Sequence, residues 1–458
     1  MPSRLIIHSL ITGLLFIPLV VLLPSPAAAG DESGGAVYTK TRGIFENPGA
    51  EYRGKPFWSW NGKLEKDELI RQIHVLKEMG FGGFFMHSRT GLATEYLGEE
   101  WFDLINAGAD EAGKLGLEAW LYDEDRWPSG SAGGMATGNP EYRMKYLRMN
   151  PVPADEFQWT DDIIAAFSCR LEGLDYTEGV RIRPDTPKAS YQDRTVLFFT
   201  VEPMAGHPFY NGNTYLDTMN PDATRKFIEL THERYKAHCG ERLGTTIKGI
   251  FTDEPHRGMV MCAGVAHSQN GRTENLTPWT PRLFDAFQEK YGYSLVDHLP
   301  ELFLRPEGER IRKVKWQYME LLQELFLQNF AQPIHDWCQA NNLLLTGHVL
   351  HEDSLGAQAV PNGSLTRFYE LMDYPGVDVL TEGNRNYWIV KQLSSAAHQL
   401  GQKWLLSELY GCTGWDFPFA GHKACGDWQY ALGINYRCQH LAWYSMAAEA
   451  KRDYPASL

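Results

Sequence analysis

The sequence predicts a (β/α)8 barrel: an α/β fold in which eight parallel strands alternate with helices. Short apolar runs alternate with stretches of helical spacing along most of the chain. Eight such runs can be counted, the number that closes a parallel barrel. Several of them end in His, Asp or Glu, and barrel enzymes build their sites at the carboxyl ends of their strands.

The elements follow in order. Residues 30–53 read as a polar, glycine-containing segment, and the barrel is expected over 54–458. Strand one runs from Lys55 to Trp60, after which Asn61-Gly62 turns the chain into a helix with Leu69, Ile73 and Leu76 on one face and Gly80 to stop it. Phe81 to His87 is strand two, and a helix from Glu99 to Lys114 leads to strand three, Leu117 to Asp123. From 140 to 212 the rhythm breaks into alternating fragments such as Asp162 to Ser168 and Thr195 to Val201, which predict a small β-rich insertion between strands three and four. Asn220-Pro221-Asp222 restores the pattern with an N-cap residue, a proline at the first helical position and an acid in the first turn. That helix runs to Cys239 and feeds strand four, Thr246 to Thr252. Helices over Pro281 to Tyr291 and Arg312 to Asn341 precede strand five, Leu343 to His348. Val377 to Thr381 is strand six, Asn386 to Leu400 a helix, and Lys403 to Glu408 strand seven. A helix near Cys425 to Ile434 leads to strand eight, Cys438 to Tyr444. No outer helix is read between there and Leu458, so the barrel is expected to be partly uncovered or the chain cut short.

Composition narrows the function classes. With 458 residues, 43% of them hydrophobic, the chain can bury a large core, and a net charge of −14 with no basic stripe gives no support to a nucleic-acid partner, so none is expected. The 14 tryptophans suit both core packing and stacking on sugar rings. Arg4, the apolar run Leu5 to Leu23 and the small residues ending at Ala29 have the order of a secretory signal over 1–29. The expectation is a secreted, periplasmic or cell-envelope protein with no stable membrane insertion after cleavage. Seven scattered cysteines without a CxxC pair do not form a disulfide scaffold or zinc ribbon, leaving open one bridge between Cys412 and Cys425.

Chemistry concentrates at two strand ends. Gly249 to Pro255 carries Asp253 and Glu254, and the seventh run ends in Glu408. Two strand-end glutamates far apart in sequence point to glycoside hydrolysis, which needs one carboxyl to protonate the leaving oxygen and another to act on the anomeric carbon. Glu254 and Glu408 are the catalytic candidates. Because adjacent strand residues point opposite ways, only one of Asp253 and Glu254 need face the cavity, and Glu254 is preferred. The substrate-binding candidates are Trp58, His87, Arg89, Asp123, Glu124, Trp127, Asp253, His348, Trp415 and Tyr444. The His348 to Asp353 stretch invites zinc, but strand residues three apart face opposite sides and no HExxH helix is present.

Five motifs, Pro56 to Gly62, Gly82 to Leu92, Tyr122 to Gly130, Phe251 to Pro255 and Ser407-Glu408, resemble glycoside hydrolase family 106, the α-L-rhamnosidase-like proteins, over about Pro56 to Pro455. The resemblance implies a (β/α)8 catalytic domain acting on plant or microbial glycans, inversion by two carboxylates at Glu254 and Glu408, and calcium near the sugar in some members. Glu382 would then be a ligand of substrate or calcium. No organic cofactor is implied. One departure stands out: the β-sandwich domains that usually follow the barrel in this family are not found. Asp253 stands where retaining β-galactosidase-like barrels usually have asparagine, which counts against a retaining enzyme of that type. Glu254 is expected as general acid and Glu408 as general base, with the roles exchangeable on sequence grounds. A retaining exo-glycosidase and a catalytically silent carbohydrate-binding protein are the alternatives.

Overall fold

The structure, a computed structural model, describes residues 32–258, 275–447 and 450. The signal-like stretch over 1–29 and Cys262 lie outside the described residues. Among the described residues no helix is long and apolar enough to cross a membrane. The chain divides after Pro48. In the first unit, the stretch read as a polar segment instead forms a helix, Glu32–Glu46, in which Arg42 and Glu46 pair at 2.7 Å across one turn.

The second unit is a parallel barrel. Its strands are β1 (Phe57–Trp60), β2 (Gly83–Ser88), β3 (Glu118–Tyr122), β4 (Ile247–Asp253), β5 (Leu344–His348), β6 (Tyr374–Val379), β7 (Leu406–Leu409) and β8, which comes in two pieces, Tyr436–Gln439 and Ala442–Trp443. Neighbours in sequence order pair in parallel throughout. The first piece of β8 pairs with β7 and the second with β1, at Trp58↔Ala442 and Ser59↔Trp443, which closes the barrel. Side chains alternate along each strand. Phe57, Phe85, Trp120, Phe251 and Leu406 form one buried cluster inside the barrel, with the Phe57 ring edge-on to Phe251 at 4.7 Å. Their neighbours Trp58, Phe84, Ala119, Ile250 and Leu405 belong to the layer between strands and helices.

The helices carry the sequence signals that start and stop them. Asn220 caps Pro221–Leu230 by accepting the Asp222 N–H, and Gly116 ends Glu99–Leu115 in the left-handed region at φ 65°. Gly347 shows why one strand position must be glycine. It pairs with Thr252 at φ 136°, and a Cβ there would lie 1.8 Å from the Thr252 carbonyl oxygen. Gly347→Ala is therefore expected to cost about 3 kcal/mol or more and to drive β4 and β5 apart, a loss that thermal unfolding would register.

Two expectations need correction. Strand six begins at Tyr374, not Val377, because Pro375 sits in the strand opposite Gly347 instead of turning the chain. The β-rich sheet also reaches beyond 140–212. Its antiparallel strands Lys145–Pro153, Ala165–Glu172, Asp175–Ile182 and Thr195–Pro203 are joined by Leu276–Trp279 and Arg305–Pro306. Leu276–Trp279 contains Pro278, which reads as a loop but is tolerated because this strand lies at the sheet edge.

Candidate active site

The site is the last inward-facing layer of the barrel. Two residues beyond the aromatic and aliphatic layer stand His87 on β2, Tyr122 on β3, Asp253 on β4, His348 on β5, Asp378 on β6, Glu408 on β7 and His440 just after the first piece of β8. All point inward by strand alternation. The sheet register sets Asp253 beside His348 and Asp378 beside Glu408.

His348 organises this layer. Its Nε2 lies 2.9 Å from Glu408 Oε2 and 3.2 Å from Asp253 Oδ1, and all three side chains are buried. Burial alone would lower the imidazole's proton affinity, but the hydrogen bonds and charges of Asp253 and Glu408 outweigh it and hold the pKa well above the ordinary histidine range. Tyr122 donates to Asp253 Oδ2 at 2.5 Å, which commits that carboxylate from a second side.

A second group lies across the cavity. Arg89 reaches His87 Nε2 at 3.1 Å and His440 Nε2 at 3.3 Å, and its guanidinium lies over the Trp127 ring at 4.4 Å. Burial, and then the Arg89 charge, push both histidines well below their usual pKa, so each meets the guanidinium as a neutral acceptor. His440 Nε2 stands 3.6 Å from Glu408 Oε1.

Glu254 enters the site differently. It follows the last residue of β4 and would face outward if the strand continued. Instead its backbone takes φ 47°, with its N–H donating to the His348 carbonyl at 3.1 Å, and the side chain lines the cavity. Asp253 and Glu254 therefore both line the smaller cavity, where strand alternation required only one of them to do so. Burial, and then the Asp253 charge, push Glu254 up to about 8. Glu408 is raised by burial, and its hydrogen bond from His348 opposes that shift.

Two cavities adjoin here. The smaller, about 170 Å³, is lined by Arg89, Asp253, Glu408 and His440, and the larger, about 330 Å³, by Leu350, Glu352, Thr381 and Ile389 among others. Trp127, Glu254, Asp378 and Leu380 line both. Asp378, Glu352 and His440 were missed as site residues by sequence reasoning. The misplaced start of strand six hid Asp378 in mid-strand, and His440 was absorbed into an apolar run.

The remaining candidates lie elsewhere. Trp58 is buried on the outer side of β1, its Nε1 donating to Gln72 Oε1 at 2.8 Å, so it is a core residue and not a stacking platform. Tyr444 is tied to the backbone of Lys63 and Glu65, away from both cavities. Trp415 is 54% exposed against Trp443 and lines neither cavity. Asp123 is buried and accepts the Ser129 hydroxyl, while Ser129 Oγ accepts the Asp253 N–H at 2.8 Å, so Asp123 steadies the end of β4 from below. Cys412 is exposed and Cys425 buried, and the bridge left open between them is not formed.

Glu124 holds the loop after β3 together. Its two oxygens accept the backbone N–H groups of Asp125, Gly130, Ser131, Ala132 and Gly133 at 2.5–3.0 Å, and they are fully occupied by that loop, not by a substrate. Trp127 rides on this loop. Glu124→Ala strands these donors and is expected to cost about 3 kcal/mol or more, measured by thermal unfolding, with Glu124→Gln losing less because its amide oxygen still accepts.

Calcium takes six to eight oxygen ligands. The cluster of converging donors among the described residues is Asp253, His348 and Glu408, one atom each within 4.8 Å. Its nitrogen already serves both carboxylates as a proton donor, and an ion would have to displace a proton held well above its usual pKa. Glu382 is exposed on the loop after β6 and stands outside that cluster. The donor set does not fit calcium.

Fold and site together define a glycosidase-like (β/α)8 barrel with paired carboxyl groups at its carboxyl-end rim. No family model matches the sequence. A curated protein described as "Putative beta-glucuronidase", from Formosa agariphila, is 23% identical over 463 residues, covering 86% of this chain and 37% of its own. The chain thus spans little more than a third of that relative. The solved rhamnosidase from Novosphingobium sp. PP1Y matches with a TM-score of 0.59 at 14% identity, over 89% of this chain and 57% of that one, and shares the fold. A beta-galactosidase from Halorubrum lacusprofundi matches at 0.46 with 10% identity, over 85% and 52%, too distant to add to the comparison.

Proposed function

We propose that the chain is a glycoside hydrolase in which Glu254 is the general acid and Glu408 the general base, acting on α-L-rhamnosides or a similar glycoside with inversion. One observation carries the assignment of roles: the imidazolium of His348 donates to Glu408 and not to Glu254. Glu408 is thereby favoured as a carboxylate able to take a proton from water, while Glu254, pushed up to about 8, keeps its proton at neutral pH. The motifs shared with family 106 and the fold shared with the solved rhamnosidase support the substrate class. The signal-like amino terminus supports export.

In this mechanism Arg89, held between two neutral histidines and Trp127, adds fixed positive charge beside the reacting carboxylates without taking up a proton. The glycosidic oxygen sits at the junction of the two cavities, where Glu254 reaches it, and the anomeric carbon faces Glu408 in the smaller one. The test is hydrolysis of a nitrophenyl glycoside panel, α-L-rhamnoside included, with the first-formed anomer followed by NMR. Inverted product from the rhamnoside supports the full reading, and a retained anomer removes the base role of Glu408. Glycan binding by folded protein without turnover of any glycoside would move the binding-protein alternative ahead.

A further inference from the structure

Glu352 and Asp378 have no part in the acid–base pair, yet Glu352 lines the larger cavity and Asp378 the junction, each with a carboxyl oxygen that has no hydrogen-bond partner among the described residues. Glu352 follows β5, is 5% exposed and lines the larger cavity. Its Oε2 accepts the Asp378 N–H at 2.7 Å, while its Oε1 is buried without a hydrogen-bond partner. Asp378, at the carboxyl end of β6, lines both cavities and has a buried Oδ1 in the same condition. Burial raises both carboxyl groups, Glu352 to about 8 and Asp378 well above its usual range, with Glu408 next in effect on Asp378. Orphaned buried acceptors cost free energy unless a ligand supplies donors.

A substrate in the larger cavity can supply those donors. Glu408 lines the smaller cavity alone, Glu254 lines both, and Glu352 lines the larger alone. An acid that protonates the leaving oxygen from the junction puts the departing group in the larger cavity. Among the described residues no Lys or Arg lines this cavity to pair with a carboxylate-bearing leaving group, and polar groups such as Asp353, Thr381 and Asn384 suit neutral hydroxyls.

We infer that the larger cavity is a leaving-group subsite in which Glu352 and Asp378 accept hydrogen bonds from the hydroxyls of a second sugar residue, making the substrate class a di- or oligosaccharide. This rests on the glycosidase reading above. Hydrogen bonds to such carboxyl groups discriminate sharply, because an analogue without hydroxyls leaves them unpaired.

The experiment compares the wild type with Glu352→Ala and Glu352→Gln on two substrates: the nitrophenyl glycoside turned over best, and a disaccharide joining the same glycone to glucose. The expected result is a fall of about tenfold or more in the ratio of kcat/KM for the disaccharide to that for the aryl glycoside. The Gln variant, which keeps one oxygen, should lose less, and it carries the comparison should the Ala variant not fold. An unchanged ratio, with both substrates losing equally or neither losing, overturns the inference by giving Glu352 a purely structural role. A wild type that cleaves the aryl glycoside but no disaccharide overturns it and leaves the glycosidase reading standing. Turnover of neither overturns both.

Discussion

Glu408→Gln is expected to leave a folded protein whose turnover falls about 1,000-fold or more on every glycoside, whatever the leaving group. Glu408 is buried at the end of β7, and its role depends on a negative charge that His348 stabilises at 2.9 Å. The amide fills the same volume and can still accept that hydrogen bond, so folding is preserved, but it cannot take a proton from water. The check is kcat/KM across nitrophenyl and dinitrophenyl glycosides. A uniform loss places Glu408 on the anomeric-carbon side of the reaction, and undiminished activity would sink the assignment.

Glu254→Gln has the opposite signature. Its loss should reach about 1,000-fold for a sugar leaving group, which needs a proton, and shrink to about tenfold for dinitrophenolate, which does not. The pH profile gives an independent reading. Glu254 must be protonated to act, and burial with the neighbouring Asp253 pushes it up to about 8. Wild-type kcat/KM should therefore fall about tenfold per pH unit above roughly pH 8, and the variant should lack that limb. Stability follows the same group. The native carboxyl holds its proton more tightly than the unfolded one, so the native state is favoured by low pH, and its stability falls as pH rises from the unfolded value near 4.5 toward about 8, then levels off. Glu254→Gln should flatten that decline in thermal unfolding across the same window.

Much of this site can be read from period two alone. Once Phe85, Trp120, Phe251 and Leu406 are placed inside the barrel, the residues two further on are His87, Tyr122, Asp253 and Glu408, and each points inward. The same count from Gly376 and Cys438 reaches Asp378 and His440. Both were missed because it requires the right strand frame: Pro375 disguised the start of β6, and His440 sits where β8 breaks in two. Trp58 was misassigned for the converse reason, since it stands one residue from Phe57 and alternation turns it toward the helices.

The chain's alternating pattern by itself determined the barrel and the strand-end positions of Asp253 and Glu408, because hydrophobic period and strand-end position are local properties. Tertiary structure alone decided that Glu254 joins Asp253 in the cavity, through a backbone turn at φ 47° anchored to the His348 carbonyl. It also decided that Glu124 serves its loop instead of a substrate and that His348 bridges Asp253 and Glu408. Those outcomes depend on which donors and acceptors from distant segments meet out of water, and no spacing along the sequence encodes such meetings.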